Sequence, residues 1–270
     1  MTTDALFTTA RTQALDDAAA SDDYWAAVEA LWAAEPKEVW ALVEPLATSS
    51  DARLQQLCVD VLSRLGDEAQ PLFFETLALF DRILAGQPTA EVLTAVGQAA
   101  ARFHDPSVVT MLAPHAGHPD AAVREAVLHA IRRSSKPEAL LALITLSRDP
   151  VPELREWATF ALGSQLPLVD APEIRATLAE RLVDSHEAVR DEATVGLGLR
   201  GDARALGPLK AMLERGDVGV ALFEAAAALA SPLLLPALRA LVERGTDSLD
   251  EEERAALHHA VSACAPAGQA

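Results

Sequence analysis

Aromatic residues make up only 4% of this 270-residue chain although half of it is apolar, so its core must be filled by Ala, Leu and Val. That composition argues against sheets, which draw on aromatic and β-branched side chains, and favours packed helices. Cysteine is nearly absent, and Cys58 and Cys264 lie near opposite ends of the chain. Such a pair makes no disulfide framework and fits a reducing compartment. Positive charge is scarce as well, with 22 Lys and Arg against 40 Asp and Glu and a formal net charge of −18. Nucleic-acid binding draws its affinity from cations that neutralise phosphates, and so acidic a chain with no basic run evident is a poor candidate for it; an anionic membrane is disfavoured by the same sign argument. No apolar stretch approaches the roughly 20 residues of a membrane span. Met1-Thr2-Thr3-Asp4 lacks the basic and apolar regions of a signal peptide, so a cytoplasmic protein is expected. No linker rich in Gly, Pro or Ser divides the chain.

What the chain does contain is a repeat. Asp149-Pro150-Val151-Pro152-Glu153-Leu154-Arg155-Glu156-Trp157-Ala158 is echoed by Asp184-Ser185-His186-Glu187-Ala188-Val189-Arg190-Asp191-Glu192-Ala193. An acidic residue opens a turn, a branched apolar residue precedes Arg, and an Ala-rich helix follows. Taking the residue before the Arg as position one, the register extends to Asp23, Leu54, Val92, Val123, Leu154, Val189 and Ala221, at spacings of 31, 38, 31, 31, 35 and 32 residues. Position five is held by Ala27, Cys58, Val96, Val127, Ala158, Ala193 and Ala225, and position nine by Leu31, Leu62, Ala100, Ile131, Leu162, Leu197 and Leu229. A spacing of four is one helical face. Pro137 and Pro208 suit the first turn of the partner helices, where a missing N–H costs nothing. Self-similarity at this period predicts an α-solenoid in which each unit buries its apolar face on its neighbours.

The ends differ from the middle, as terminal repeats must. Tyr24, Trp25, Trp32 and Trp40 gather near the N-terminus, where residues 1–48 read as an aromatic capping pair. Residues 49–247 are the repeats. Residues 248–270 are a polar capping helix and tail, with Asp250-Glu251-Glu252-Glu253 favouring the positive end of the helix dipole and Ser248 or Asp250 as cap.

The pattern Asp-x-x-x-Val-Arg-x-x-Ala-x-x-x-Leu-Gly, nearly intact in residues 149–163 and 185–198 and weaker at 120–131, resembles the short bacterial HEAT repeats of the phycobilin-lyase type. The resemblance implies an all-α, right-handed solenoid of about seven to eight helical hairpins in one domain. It also implies that the Arg-bearing helix is the second of each pair and lines the concave side. Positions three, four and seven then face a partner, and Glu125, His129, Glu156, Trp157, Phe160, Asp191, Glu192, Phe223 and Glu224 form an acidic, aromatic groove. Carboxylates with Trp157 can hold a Lys or Arg side chain by ion pairing and cation–π contact. Arg124, Arg155 and Arg190 are expected to reach the acidic residue of the same or the preceding loop and to stiffen the stack.

Several chemical readings are weaker. Deoxyhypusine hydroxylase, an enzyme of this repeat type, carries His-Glu pairs at positions three and four, where this chain has Glu156-Trp157 and Asp191-Glu192. His186-Glu187 precedes its helix. His115, His118 and His129 have zinc-ligand chemistry, but the first two flank a turn. Gly196-Leu197-Gly198-Leu199-Arg200-Gly201 matches the dinucleotide fingerprint in letters, yet no strand precedes it; close helix packing and a helix stop explain these glycines better. A glycosylase on this fold needs a basic groove, and neither cysteine falls where a bilin-binding lyase could use it. The expectation is therefore a monomeric scaffold or adaptor that grips a basic or amphipathic segment of another protein, without cofactor, metal, nucleic acid or membrane. A lyase-like or metal-dependent enzyme is the alternative.

Overall fold

In a computed structural model the chain is described at residues 2–16, 21–65, 72–103, 105–245 and 249–266. It forms two compact units, Met1–Ala139 and Leu140–Ala270. Among the described residues the regular structure is helical throughout. The first unit holds α1 (Thr3–Leu15), α2 (Asp22–Trp32), α3 (Pro36–Val43), α4 (Ala52–Leu65), α5 (Phe73–Ala85), α6 (Ala90–Ala100), α7 (Ser107–Leu112) and α8 (Ala121–Ile131). The boundary falls within α9 (Pro137–Leu146). The second unit continues with α10 (Pro152–Phe160), α11 (Pro172–Arg181), α12 (Glu187–Gly198), α13 (Leu206–Arg215), α14 (Val220–Leu229), α15 (Leu235–Glu243) and α16 (Glu251–Cys264). No helix among the described residues is long and apolar enough to cross a membrane.

The repeat register explains the packing. All seven residues at position five are buried, and so is position nine in every copy but the last, where Leu229 is half-buried. Within the first unit α4 lies on α6 and α6 on α8; within the second α10 lies on α12, α12 on α14 and α14 on α16. Each small position-five residue therefore sits between like helices of adjacent repeats, where a bulky side chain would hold the backbones apart. Position one is less regular: Val92, Val123, Leu154 and Val189 are buried, whereas Asp23 is exposed and Tyr24 beside it is fully buried.

The ends are capped by different chemistry. The Tyr24 hydroxyl donates to Asp60 Oδ2 at 2.6 Å, and the Trp32 indole N–H donates to Val61 O at 2.9 Å beneath the Arg64 guanidinium, 4.7 Å from the ring centre. Burial pushes the Asp60 carboxyl up to about 6 even though the Tyr24 hydrogen bond opposes it. At the other end Asp250 and Glu253 form a capping box, while Ser248 lies outside the described residues. Both cysteines are buried free thiols.

The turn Arg residues reach back into the turn, through its backbone carbonyls. Arg124, Arg155 and Arg190 each donate to two backbone carbonyls of the turn before their own helix: His118 and Pro119, Asp149 and Pro150, Asp184 and Ser185. Arg155 and Arg190 thus reach the acidic residue of their own loop, Asp149 and Asp184 respectively, and Arg155 has a further acidic partner in the following loop. Its Nε and a terminal nitrogen donate to the Asp184 carboxylate at 3.0 and 2.8 Å. The Arg side chain is long enough to satisfy its own turn with one nitrogen and clamp the next repeat with the others. Asp149 and Asp184 meanwhile accept N–H bonds from Val151 and His186, two residues on, which is what an acidic residue does when it opens a turn.

Candidate functional site

In the second unit α12 closely approaches the turn Ala161–Gln165 that continues α10, because glycine faces glycine. A Cβ on Gly196 would stand 2.5 Å from the Gly163 Cα, and one on Gly163 only 3.1 Å from the Gly196 Cα. Gly198 meets Ala225 in the same manner, with a Cβ there 2.7 Å from the Ala225 Cβ, and Gly201 ends the segment at φ +62°. The glycine-rich string is thus a helix-packing and helix-stop device.

Close approach has a consequence for the backbone. After Phe160 the chain widens into a π-helical turn, Ala161–Gln165, the kind of one-turn irregularity that leaves carbonyls without their usual donors. Arg200 supplies donors. Its side chain is buried, and its two terminal nitrogens donate to five carbonyls: Gly163 and Gly196 at 2.8 Å each, Leu162 at 2.7 Å, and Leu166 and Val169 at 2.9 Å each. Burial holds the guanidinium below its ordinary pKa, an effect that Asp170, 4.0 Å from its Nε, opposes.

This scaffold positions the acidic, aromatic residues. Leu154 and Ala158 bury one side of α10, which turns Glu156, Trp157 and Phe160 outward. Trp157 and Phe160 meet edge to face, with ring centres 5.7 Å apart at 81°. Across from them, α12 offers Glu192. Glu156, Trp157, Phe160 and Glu192 line a cleft of about 120 Å³. Ser164, in the π turn, donates its hydroxyl to Glu192 Oε2 at 3.4 Å. Burial raises the Glu192 carboxyl to about 7; the Ser164 bond lowers it, and the nearby Glu156 and Asp191 charges raise it further. Its charge is therefore at the margin of ionisation at neutral pH. His186 Nδ1 stands 4.0 Å from Glu156 Oε2.

The remaining residues of the expected groove are placed otherwise. Asp191 is bonded to Arg215 at 3.0 Å, alongside Glu187 and Asp217. Phe223 is a correction: it is fully buried, in the core cluster with Leu238, Leu257, Ala260 and Cys264. A carboxylate at position three must stay in water, but a phenyl ring there gains by turning into the core, and α16 packs on α14 to cover it. Glu224 is exposed on α14. Position four at Ala126 and position seven at Val195 are buried too.

In the first unit Glu125 and His129 form an i,i+4 pair on α8, 3.8 Å apart. His129 also borders a cavity of about 480 Å³ lined by Arg132, Arg133 and Lys136, residues the sequence reading passed over. Three cations within five residues of so acidic a chain were the available signal. For the histidines with zinc-ligand chemistry, the Asp120 N–H donates to His118 Nδ1 at 3.1 Å, and burial lowers the His115 pKa. Among the described residues no group of three His, Cys, Asp or Glu side chains is placed to hold a metal.

Comparison with known proteins gives a consistent picture of the fold. The family model for HEAT repeats matches residues 76–163 and 142–230. Protein YibA of Escherichia coli K12 and that of strain O157:H7 are each 31% identical over 172 residues, 64% of this chain, and the match spans 61% of the length of these curated relatives. An X-ray structure of E. coli YibA aligns at a TM-score of 0.72 with 22% identity, covering 98% of this chain and 92% of that one, a likeness of fold. Human deoxyhypusine hydroxylase aligns at a TM-score of only 0.37, which carries no argument.

Proposed function

The chain belongs to the HEAT-repeat family, and on that premise we propose that it works as a protein scaffold whose second unit grips a basic side chain of a partner in the cleft between α10 and α12. The observation that carries this reading is the Trp157–Phe160 edge-to-face pair flanked by the carboxyl groups of Glu156 and Glu192. An indole face attracts a cation by about 0.5–2 kcal/mol depending on its desolvation, and carboxylates add charge-assisted hydrogen bonds. Size narrows the ligand. At about 120 Å³ the cleft takes the end of one Lys or Arg side chain; small-molecule sites run to about 300–1,000 Å³. The net charge of −18 steers a basic segment towards the protein and speeds encounter at low salt. The reading takes the protein as cytoplasmic and monomeric.

The test is capture of partners from the native host by the wild-type protein and by the double variant Glu156→Lys/Glu192→Lys, followed by mass spectrometry. The expected result is a salt-sensitive protein partner captured by the wild type and lost with the variant, whose helical circular dichroism is unchanged. Equal capture by both removes the cleft from the account.

A further inference from the structure

The first unit carries a second site of opposite charge. We propose that the cavity beside the C-terminal end of α8 binds a small organic phosphate, a phosphate monoester on an apolar or aromatic body.

The charge is the first observation. Arg132, Arg133 and Lys136 line one cavity of about 480 Å³ in a chain with a formal charge of −18. Cations at a helix C-terminus complement the dipole, which accounts for Arg132 and Arg133 being there but not for a cavity between them and a third cation. Lys136 is fixed across it, because its ammonium donates to Pro106 O at 2.8 Å. The carboxylate in the lining, Asp105, accepts the Ser107 N–H at 2.7 Å and the Ser107 hydroxyl at 2.5 Å, and the Lys136 charge adds a smaller pull on it.

The second observation is the apolar wall. Ala101, Pro106 and Ala130 lie in the same lining and keep accessible surface, with Phe103 and Val109 buried behind them, so a ligand body meets carbon while its charged end meets the cations. Guanidinium groups match phosphate oxygens as two-pronged donors, and the Ser135 hydroxyl, also in the lining, adds a neutral one. The volume falls in the range of pockets that enclose small molecules, about 300–1,000 Å³. A nucleic-acid strand, by contrast, would meet the repulsion of the whole acidic chain.

Isothermal titration of the full chain with phenyl phosphate, inorganic phosphate and a short single-stranded DNA tests the assignment. Saturable binding of phenyl phosphate is expected, at least about tenfold tighter than inorganic phosphate, a difference of about 1.4 kcal/mol. Arg133→Glu and, separately, Lys136→Gln should each weaken it at least about tenfold with unchanged circular dichroism. The proposal is overturned by no saturable binding up to about 10 mM, or by binding that neither variant alters. Inorganic phosphate binding as tightly as phenyl phosphate would overturn the organic class, and tighter binding of the DNA would overturn the small-molecule class.

Discussion

The α6/α8 pair of the first unit and the α10/α12 pair of the second each join successive copies of one repeat pattern, yet they are held together differently. Between α6 and α8 a glycine meets a small side chain: a Cβ on Gly97 would stand 2.8 Å from the Ala126 Cβ. Between the turn that continues α10 and α12 glycine meets glycine, and the nearest atom in the way is the Gly163 Cα, at 2.5 Å. The second contact comes with a π turn and a buried guanidinium that serves five carbonyls. The lesson is that close backbone approach is not complete as a packing device. Where it disturbs the hydrogen-bond ladder, a donor must be supplied from elsewhere in the chain. Here that donor follows the C-terminal end of α12, the helix that presents Glu192, so the structural role and the proposed binding role share one frame.

The largest effect should come from removing that donor. Arg200→Leu strands carbonyls in a buried setting and should lower unfolding free energy by about 4 kcal/mol, with Arg200→Lys losing about half as much. Urea denaturation measures both. A loss under about 1 kcal/mol for Arg200→Leu would mean the π turn satisfies itself. Next, Gly196→Ala should cost about 3 kcal/mol, because its Cβ would stand 2.5 Å from the Gly163 Cα, and Gly97→Ala about 2 kcal/mol, because the Ala126 Cβ at 2.8 Å has no rotamer and moves only with the α8 backbone but the overlap is smaller. Equal losses would erase the distinction between the two pairs.

A smaller, pH-dependent effect belongs to Glu192. Its carboxyl is raised from 4.5 to about 7 by burial, so between those values the folded state holds a proton that the unfolded chain has released. Stability from this group therefore falls as pH rises through that window. Glu192→Gln should melt higher than wild type at pH 8 and nearly the same at pH 5, as thermal scans at both pH values would show. A constant offset would place the carboxyl in water. Smallest for stability is Trp157→Ala. With Trp157 42% exposed, the change should move unfolding by less than about 1 kcal/mol while abolishing capture of a basic partner; loss of fold instead would make Trp157 a core residue.

Much of the architecture was legible in the sequence, because small residues at position five obey a helical period that burial then follows in all seven copies. The α10 half of the site was legible for the same reason, since Glu156, Trp157 and Phe160 lie opposite Leu154 and Ala158. Phe223 was misplaced because a register marks a direction on a helix, not what a neighbouring helix will cover. The forward reach of Arg155 to Asp184 could not be read from order alone, as preceding and following loops are equally near along the chain. The π turn and the duty of Arg200 are tertiary, set by a glycine contact between residues 33 apart. The cationic cavity joins two stretches, residues 101–109 and 129–136, of which only the charges of the second stand out in the sequence.

The central claim is that the α10/α12 cleft receives a cationic side chain. It is tested most directly by following the Trp157 indole N–H by NMR while titrating a short peptide with one arginine, beside the same peptide with citrulline. The account predicts a saturable shift with the arginine peptide that weakens with salt, is lost in Glu156→Lys/Glu192→Lys, and is absent with citrulline. Identical shifts with both peptides, or none with either, would contradict it.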